Sequence, residues 1–162
     1  MSRVVKSTPT PSAKDDAGPP FVGALLRLCL ERVRARIREA VRAAGFTDLQ
    51  DAYLAVFSYP LPDGVRPSEL ARRIRMSRQA TNYLIAQMEA LGYLERRTTD
   101  GDDGERRRVY FTKRAWRVNE TIVACLRELQ AEWEGEIGQK RFRAFIEVLR
   151  HFADEELRSY SR

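Results

Sequence analysis

For most of the chain, apolar residues recur at helical spacing. After Phe21 they fall at Leu26, Leu30, Val33, Ile37, Val41 and Ala44, and Gly45 stands where a left-handed cap would close the run. This spacing predicts a long amphipathic helix with an arginine-rich outer face. A second helix carries Leu49, Tyr53, Val56 and Phe57; Asp48 can cap it, and it must stop near Pro60 and Pro62. A short third helix turns Leu70, Ala71 and Ile74 inward, opening at Ser68 as N-cap or at Arg66-Pro67. Ser77 reads as the N-cap of a fourth helix that runs to Leu91 and stops at Gly92. Two short helices about three residues apart, the second closed by glycine, have helix-turn-helix spacing.

The period then changes. Tyr93 to Thr99 and Arg106 to Thr112 are β-prone runs flanking the turn-rich segment Asp100 to Glu105, which predicts a hairpin. From Lys113 helical spacing returns through Trp116, Ile122, Cys125, Leu126, Leu129 and Trp133. After a break near Gly135–Gly138 it continues through Phe142, Phe145, Ile146, Leu149, Phe152 and Leu157. The fold class read from this order is mainly α with a small β-hairpin. Residues 1–20, with four prolines among Ser, Thr and Lys, read as a disordered arm. The expected organisation is an arm at 1–20, a first helix at 21–47, a helix-turn-helix and hairpin at 48–112, and two long helices at 113–162.

With 162 residues and 43% hydrophobic content, the chain suits one packed domain. At that length folding buries about 70% of the unfolded surface and requires no metal or disulfide. No window reaches the roughly 18 continuous apolar residues of a membrane helix, and residues 1–20 lack the layout of a secretory signal, so a cytoplasmic location with no membrane partner is expected. A single histidine, His151, leaves no His-based metal cluster and no nucleophile–histidine constellation, which weakens most enzyme readings; no cofactor is implied.

The net charge of +6 is unevenly spread. Residues 66–114 hold 12 basic and 7 acidic side chains, and residues 21–45 hold 6 and 2, whereas 46–65 and 115–162 are net acidic. A central basic segment is the footprint of a nucleic-acid surface, although a solvated face of arginine side chains accounts for the charge alone equally well.

The fourth helix refines this picture. At about 100° per residue from Ala80, Leu91, Leu84, Met88 and Ile85 cluster on one side, while Arg78, Asn82, Ala86 and Gln79 occupy the other. The outward face at the helix start thus presents two amides, an arginine and a small alanine. Asn and Gln can pair with adenine, and Arg with guanine, in the major groove of double-stranded DNA.

Ser68-Glu69-Leu70-Ala71, then Met76 to Asn82, then Met88-Glu89-Ala90-Leu91-Gly92-Tyr93-Leu94-Glu95-Arg96-Arg97 resemble the winged helix-turn-helix of the MarR transcription regulators. The element order resembles that family over residues 21–160. The resemblance implies a homodimer formed by the first and last helices, with the Ser77 helix in the major groove and wing arginines in the adjacent minor groove of an inverted-repeat operator. Its DNA-contacting set here is Ser68, Ser77, Arg78, Gln79, Thr81, Asn82, Arg106, Arg107 and Arg108. It further implies release by a small aromatic effector, for which Tyr53, Phe57 and Trp116 are candidate lining residues; core packing explains those three equally well. The wing departs from the family's Asp-x-Arg pattern: counting back from Thr112 places its Asp at Asp103, with Gly104 and Glu105 next, and one inserted residue brings Arg106 into the arginine's role.

Other constellations are weaker. Asp100, Asp102, Asp103 and Glu105 lack the terminal bidentate Glu of a 12-residue calcium loop and read as a carboxylate-rich turn. Cys29 and Cys125 sit at largely apolar helical positions, where buried cysteine is common, and a redox switch would need an exposed thiolate near positive charge such as Arg32. The expected function is a sequence-specific, homodimeric, effector-responsive transcriptional regulator; the rival is a nonspecific architectural DNA-binding protein that uses the arginine faces without reading bases.

Overall fold

The computed structural model of the chain describes residues 20–59, 61–99 and 106–160. The described elements run α1 (Val22–Ala43), α2 (Asp51–Phe57), α3 (Pro67–Arg73), α4 (Arg78–Ala90), β1 (Leu94–Thr99), β2 (Arg106–Phe111), α5 (Lys113–Ile137) and α6 (Gln139–Tyr160). This is the mainly helical, hairpin-bearing order that the apolar spacing predicts. The expected arm over 1–20 falls almost wholly outside the described residues, and so does the carboxylate-rich turn at 100–105.

Contacts divide the chain into two units, Met1–Arg32 and Val33–Arg162. The described part of the first is the opening half of α1. Its apolar residues Phe21, Val22, Leu25, Leu26, Leu28 and Leu30 are all exposed, as is Cys29, contrary to the buried position expected for that cysteine.

The second unit holds the core. Val41 at the end of α1, Val56 and Phe57 of α2, Leu70 of α3, and Leu84, Ile85 and Met88 of α4 meet Val109 and Phe111 of β2 and Ala115, Val118 and Ile122 of α5. The winged unit is therefore not confined to residues 48–112: the last turns of α1 and the first turns of α5 complete its core. Cys125 and Leu129 continue the buried stripe of α5, and Phe142 of α6 is buried as well.

Local signals set most boundaries. Gly45 has φ 91° and closes α1 through Phe46 N–H to Val41 O at 3.1 Å, the expected left-handed cap. Gly92 ends α4 in the same manner, with Tyr93 N–H to Met88 O at 2.8 Å. α3 is closed by the matching bond, Met76 N–H to Ala71 O at 3.0 Å, but the left-handed residue is Arg75, at φ 54°. Thr112 caps α5, its Oγ1 accepting from Ala115 N–H at 3.3 Å while donating to Gly92 O at 2.6 Å. The break after α5 comes at Gly138, and Gly135 remains helical.

Two expected caps are corrected. α3 starts with Pro67 at its first position after Arg66, so Ser68 lies inside the first turn. Proline's fixed φ and missing N–H suit that position without a side-chain cap. α2 starts at Asp51 after Gln50, three residues beyond Asp48, and no side chain caps it.

The hairpin is antiparallel, with register Leu94↔Phe111 through Thr99↔Arg106. A third segment joins it: Val65 and Val109 exchange both backbone bonds, Val65 N–H to Val109 O at 2.9 Å and the reverse at 2.8 Å. One isolated residue pair carries no periodic signal, and the spacing did not reveal it. Among the described residues no helix is long and apolar enough to cross a membrane, and no group of three His, Cys, Asp or Glu side chains could hold a metal.

Candidate nucleic-acid interface

The start of α4 is anchored on both sides of its first turn. Ser77 Oγ accepts from Ala80 N–H at 3.1 Å, satisfying one of the orphan donors at the helix start. Thr81 Oγ1 donates to Ser77 O at 2.9 Å, and Thr81 is completely buried beside Leu84, Ile85 and Met88. Thr81 is thus removed from the expected DNA-contacting set. The helical wheel could have shown this, because Thr81 lies about 100° from Ala80, in the middle of the apolar arc.

Arg78, Gln79, Asn82, Tyr83 and Ala86 are exposed on the opposite arc. The structure therefore brings Arg78, Gln79 and Asn82 together on one accessible face, with Ser77 exposed at its head. Tyr83 belongs to that face too and was not singled out from the sequence; 67% of its surface is accessible. Ser68 is exposed on α3. Nearby, Glu69 accepts from Arg72 at 2.8 Å and from Arg73 at 3.0 Å, and these bonds, Arg72's first, hold its carboxyl below its ordinary range.

On the wing, alternation along β2 sends successive side chains to opposite faces. Arg107 is exposed. Arg108 is half-buried, and its Nε is enclosed without a hydrogen-bond partner among the described residues. The three consecutive arginines are therefore not equivalent. Arg106 opens β2 opposite Thr99. Asp103, Gly104 and Glu105, where the wing departs from the family pattern, lie outside the described residues. Below the tip, the Arg97 guanidinium lies 4.8 Å over the Tyr110 ring and pairs with Glu95, and Arg96 reaches Glu89 of α4 at 2.9 Å.

A polar clasp sets the root of the wing against α5. The Asp48 carboxylate accepts from the Tyr93 hydroxyl at 2.6 Å, and its two oxygens accept from the single Arg114 Nη2 at 2.9 and 2.8 Å. Arg114 also donates to Leu91 O at 2.5 Å, and its guanidinium lies 4.4 Å over the Tyr93 ring. The Tyr93 bond, then Arg114's charge, holds the Asp48 carboxyl below its ordinary range, against the opposing effect of burial. Burial, then the bond to Asp48, pushes the Tyr93 phenol up to about 12.

The expected effector-lining residues are packed instead. Tyr53 and Phe57 are buried, and the Tyr53 hydroxyl donates to Gln87 Oε1 at 2.9 Å. The Phe57 and Phe111 rings lie tilted 5.1 Å apart and Phe111 meets Trp116 edge-on at 5.3 Å, so these rings spend their surface on the core. Of the two cysteines, Cys125 is buried and burial raises its thiol; Cys29 is exposed. His151 is exposed, its ring against Phe152 at 5.4 Å.

Comparison with known proteins agrees with this arrangement. Residues 47–104 match the family model described as MarR family. A crystal structure of MarR superposes with TM-score 0.68 at 20% identity, over 93% of this chain and 99% of that one. A MarR-family protein from Bacillus stearothermophilus superposes with TM-score 0.66 at 19% identity, over 84% and 93% of the two chains. A Mycobacterium tuberculosis MarR-family protein in complex with p-aminosalicylic acid gives 0.58 at 19% identity, over 82% and 98%. No curated protein sequence matches the chain. At these identities the solved structures establish the fold, and the sequence match spans α2, the helix-turn-helix and β1. Residues 47–104 thus match the MarR family model, and the chain shares the winged helix-turn-helix fold of these solved structures.

Proposed function

We propose that the chain is a homodimeric, sequence-specific regulator of transcription that places α4 in the major groove of an inverted-repeat site. One observation carries this reading: Arg78, Gln79 and Asn82 stand exposed together at the start of α4, while the other side of that helix is locked into the core. Amides and guanidinium on a rigid, accessible helix start suit the donor and acceptor pattern of base edges. Arg107, exposed on the wing, supplies charge for the phosphate backbone. In competition with random DNA, a preferred site is expected to hold an advantage of about 10³ or more, and no advantage would favour architectural coating. Replacing Gln79 or Asn82 by alanine should cost about 1–3 kcal/mol on the preferred site and relax choice at particular base pairs. Equal weakening on every sequence would contradict base reading.

Dimerisation is supported by surplus apolar surface. Phe21, just before α1, and Leu25 and Leu28 on it are 71%, 48% and 49% exposed, and Val148 and Phe152 on α6 are 52% and 78% exposed. Such surface suits a second copy, whose two-fold axis would set two α4 helices about 34–36 Å apart. Sedimentation at micromolar concentration should give twice the chain mass of 18.7 kDa; a mass that stays at the monomer value as concentration rises would reject it. Response to a small aromatic acid is supported by the M. tuberculosis relative's complex with p-aminosalicylic acid. Tyr53 and Phe57, being buried, are not offered as its contacts.

A further inference from the structure

The exposed arc of α4 differs in composition from the exposed surface of the other long helices. In a chain that is 32% charged, α1 presents Arg27, Glu31, Arg32, Arg34, Glu39 and Arg42 to solvent. α6 likewise presents Lys140, Arg141, Arg143, Glu147 and Arg150. From Gln79 to Gln87, α4 carries no charge at all. Its exposed residues there are Gln79, Asn82, Tyr83 and Ala86, all neutral.

Tyr83 is the singular member of this arc. The large apolar or aromatic side chains left exposed among the described residues lie at 21–30, at 137, at 148 and 152, and at Tyr83. The first three groups are on α1 and on α5 and α6; only Tyr83 stands on the winged unit's helix-turn-helix. Among the described residues no hydrogen bond, ion pair or ring contact holds it. It follows Gln79 by one helical turn and so points from the same arc about 6 Å further along the axis. The next residue at that spacing, Gln87, is not available in the same way, because its Oε1 accepts from the Tyr53 hydroxyl. The accessible row is therefore Gln79 and Tyr83, with Asn82 and the small Ala86 beside them.

We infer that Tyr83 is a specificity-determining residue whose ring packs against the 5-methyl group of a thymine in the major groove, next to the bases contacted by Gln79 and Asn82. This rests on the proposed DNA-reading role of α4 and extends it to one base. A major-groove floor offers neutral donors, acceptors and one apolar group, the thymine methyl, and aromatic or small apolar side chains recognise that methyl. A charged side chain set against the thymine methyl would pay a desolvation cost without finding a hydrogen-bond partner in that group. An exposed aromatic flanked by amides, on an arc without charge from Gln79 to Gln87, has the chemistry of that floor rather than of the phosphate ribbons beside it.

The test uses the full-length protein and a duplex carrying its selected site. Each thymine is replaced in turn by uracil, which removes only the methyl group. Wild-type protein should lose about fourfold in affinity per half-site at one thymine, the worth of one buried methyl, and little at the others. Tyr83→Phe should keep that loss, and Tyr83→Ala should bind the thymine and uracil duplexes equally. Uracil that is neutral at every position, a Tyr83→Ala variant that still distinguishes the two duplexes, or a Tyr83→Phe variant that no longer does would overturn the inference. The last result would assign the contact to the hydroxyl instead of the ring. Thermal unfolding of both variants should match wild type, since the side chain is exposed. If selection yields no preferred site, the DNA-reading role itself fails; a preferred site without the uracil effect overturns Tyr83's part alone.

Discussion

Gly64→Ala should destabilise the protein by about 2–5 kcal/mol in chemical denaturation, combining a backbone penalty of about 1–2 with overpacking of about 1–3. Gly64 has φ 68°, a conformation L side chains rarely adopt, and a Cβ built there would stand 2.5–2.8 Å from three atoms of the Tyr110 ring. That ring cannot retreat freely. The Arg97 guanidinium covers it, and the adjacent Val65 and Val109 are joined by two backbone bonds. Gly92→Ala is the matched control, with φ 74° and nothing within 4 Å of its built Cβ, so only the backbone penalty applies. The difference between the two variants isolates the contact with Tyr110, and Tyr110→Ala in the Gly64→Ala background should recover that difference. Equal costs at the two glycines would show that the wing does not lean on the 61–65 loop. Because the wing is expected to meet DNA, the Gly64 variant should also lose binding at temperatures where α4 remains folded.

Asp48→Ala should cost about 1–3 kcal/mol, chiefly because it leaves the hydroxyl of fully buried Tyr93 without an acceptor. The ion pair with Arg114 adds little, since the two side chains keep 36% and 35% of their surface in contact with water. The clasp also imposes a pH dependence of known sign. The Asp48 carboxyl is depressed in the folded protein, so its contribution is present above its ordinary value of 3.8 and is lost as pH falls through the folded value. The Tyr93 phenol is raised from 10.0 to about 12, so its contribution is present below pH 10 and is lost as pH rises from there toward 12. Denaturation across pH should show wild type losing stability at both ends. Asp48→Asn should flatten the acid limb relative to wild type, and Tyr93→Phe the alkaline one. Parallel acid limbs for wild type and Asp48→Asn would remove Asp48 from the explanation.

Much of this molecule was legible because its signals are short-range. The apolar period of α1, the Ser77 cap, the glycine stops at 45 and 92, and the turn-rich break in the hairpin each depend on residues within about four positions of one another. Such interactions form the same way in nearly any surroundings, so the order of elements and the outward arc of α4 followed from spacing alone. Thr81 belongs to the same class, because its place about 100° from Ala80, inside the apolar arc, specifies burial. The remaining features depend on partners brought together by folding. Asp48 looks like a helix cap when only its neighbours are considered, yet its acceptors are used by Tyr93 and Arg114, 45 and 66 residues away. Tyr53, Phe57 and Trp116 look equally suited to a pocket or a core, and the choice was made by Gln87 and Phe111 arriving from other elements. Val65 joins the wing through one residue pair, and Gly64 is required by a ring that approaches from β2. Periodicity and capping thus determine where each element lies and which side of it is apolar. Only chain closure decides which distant polar group meets which, because that depends on the packing of whole elements and leaves no repeat along the sequence.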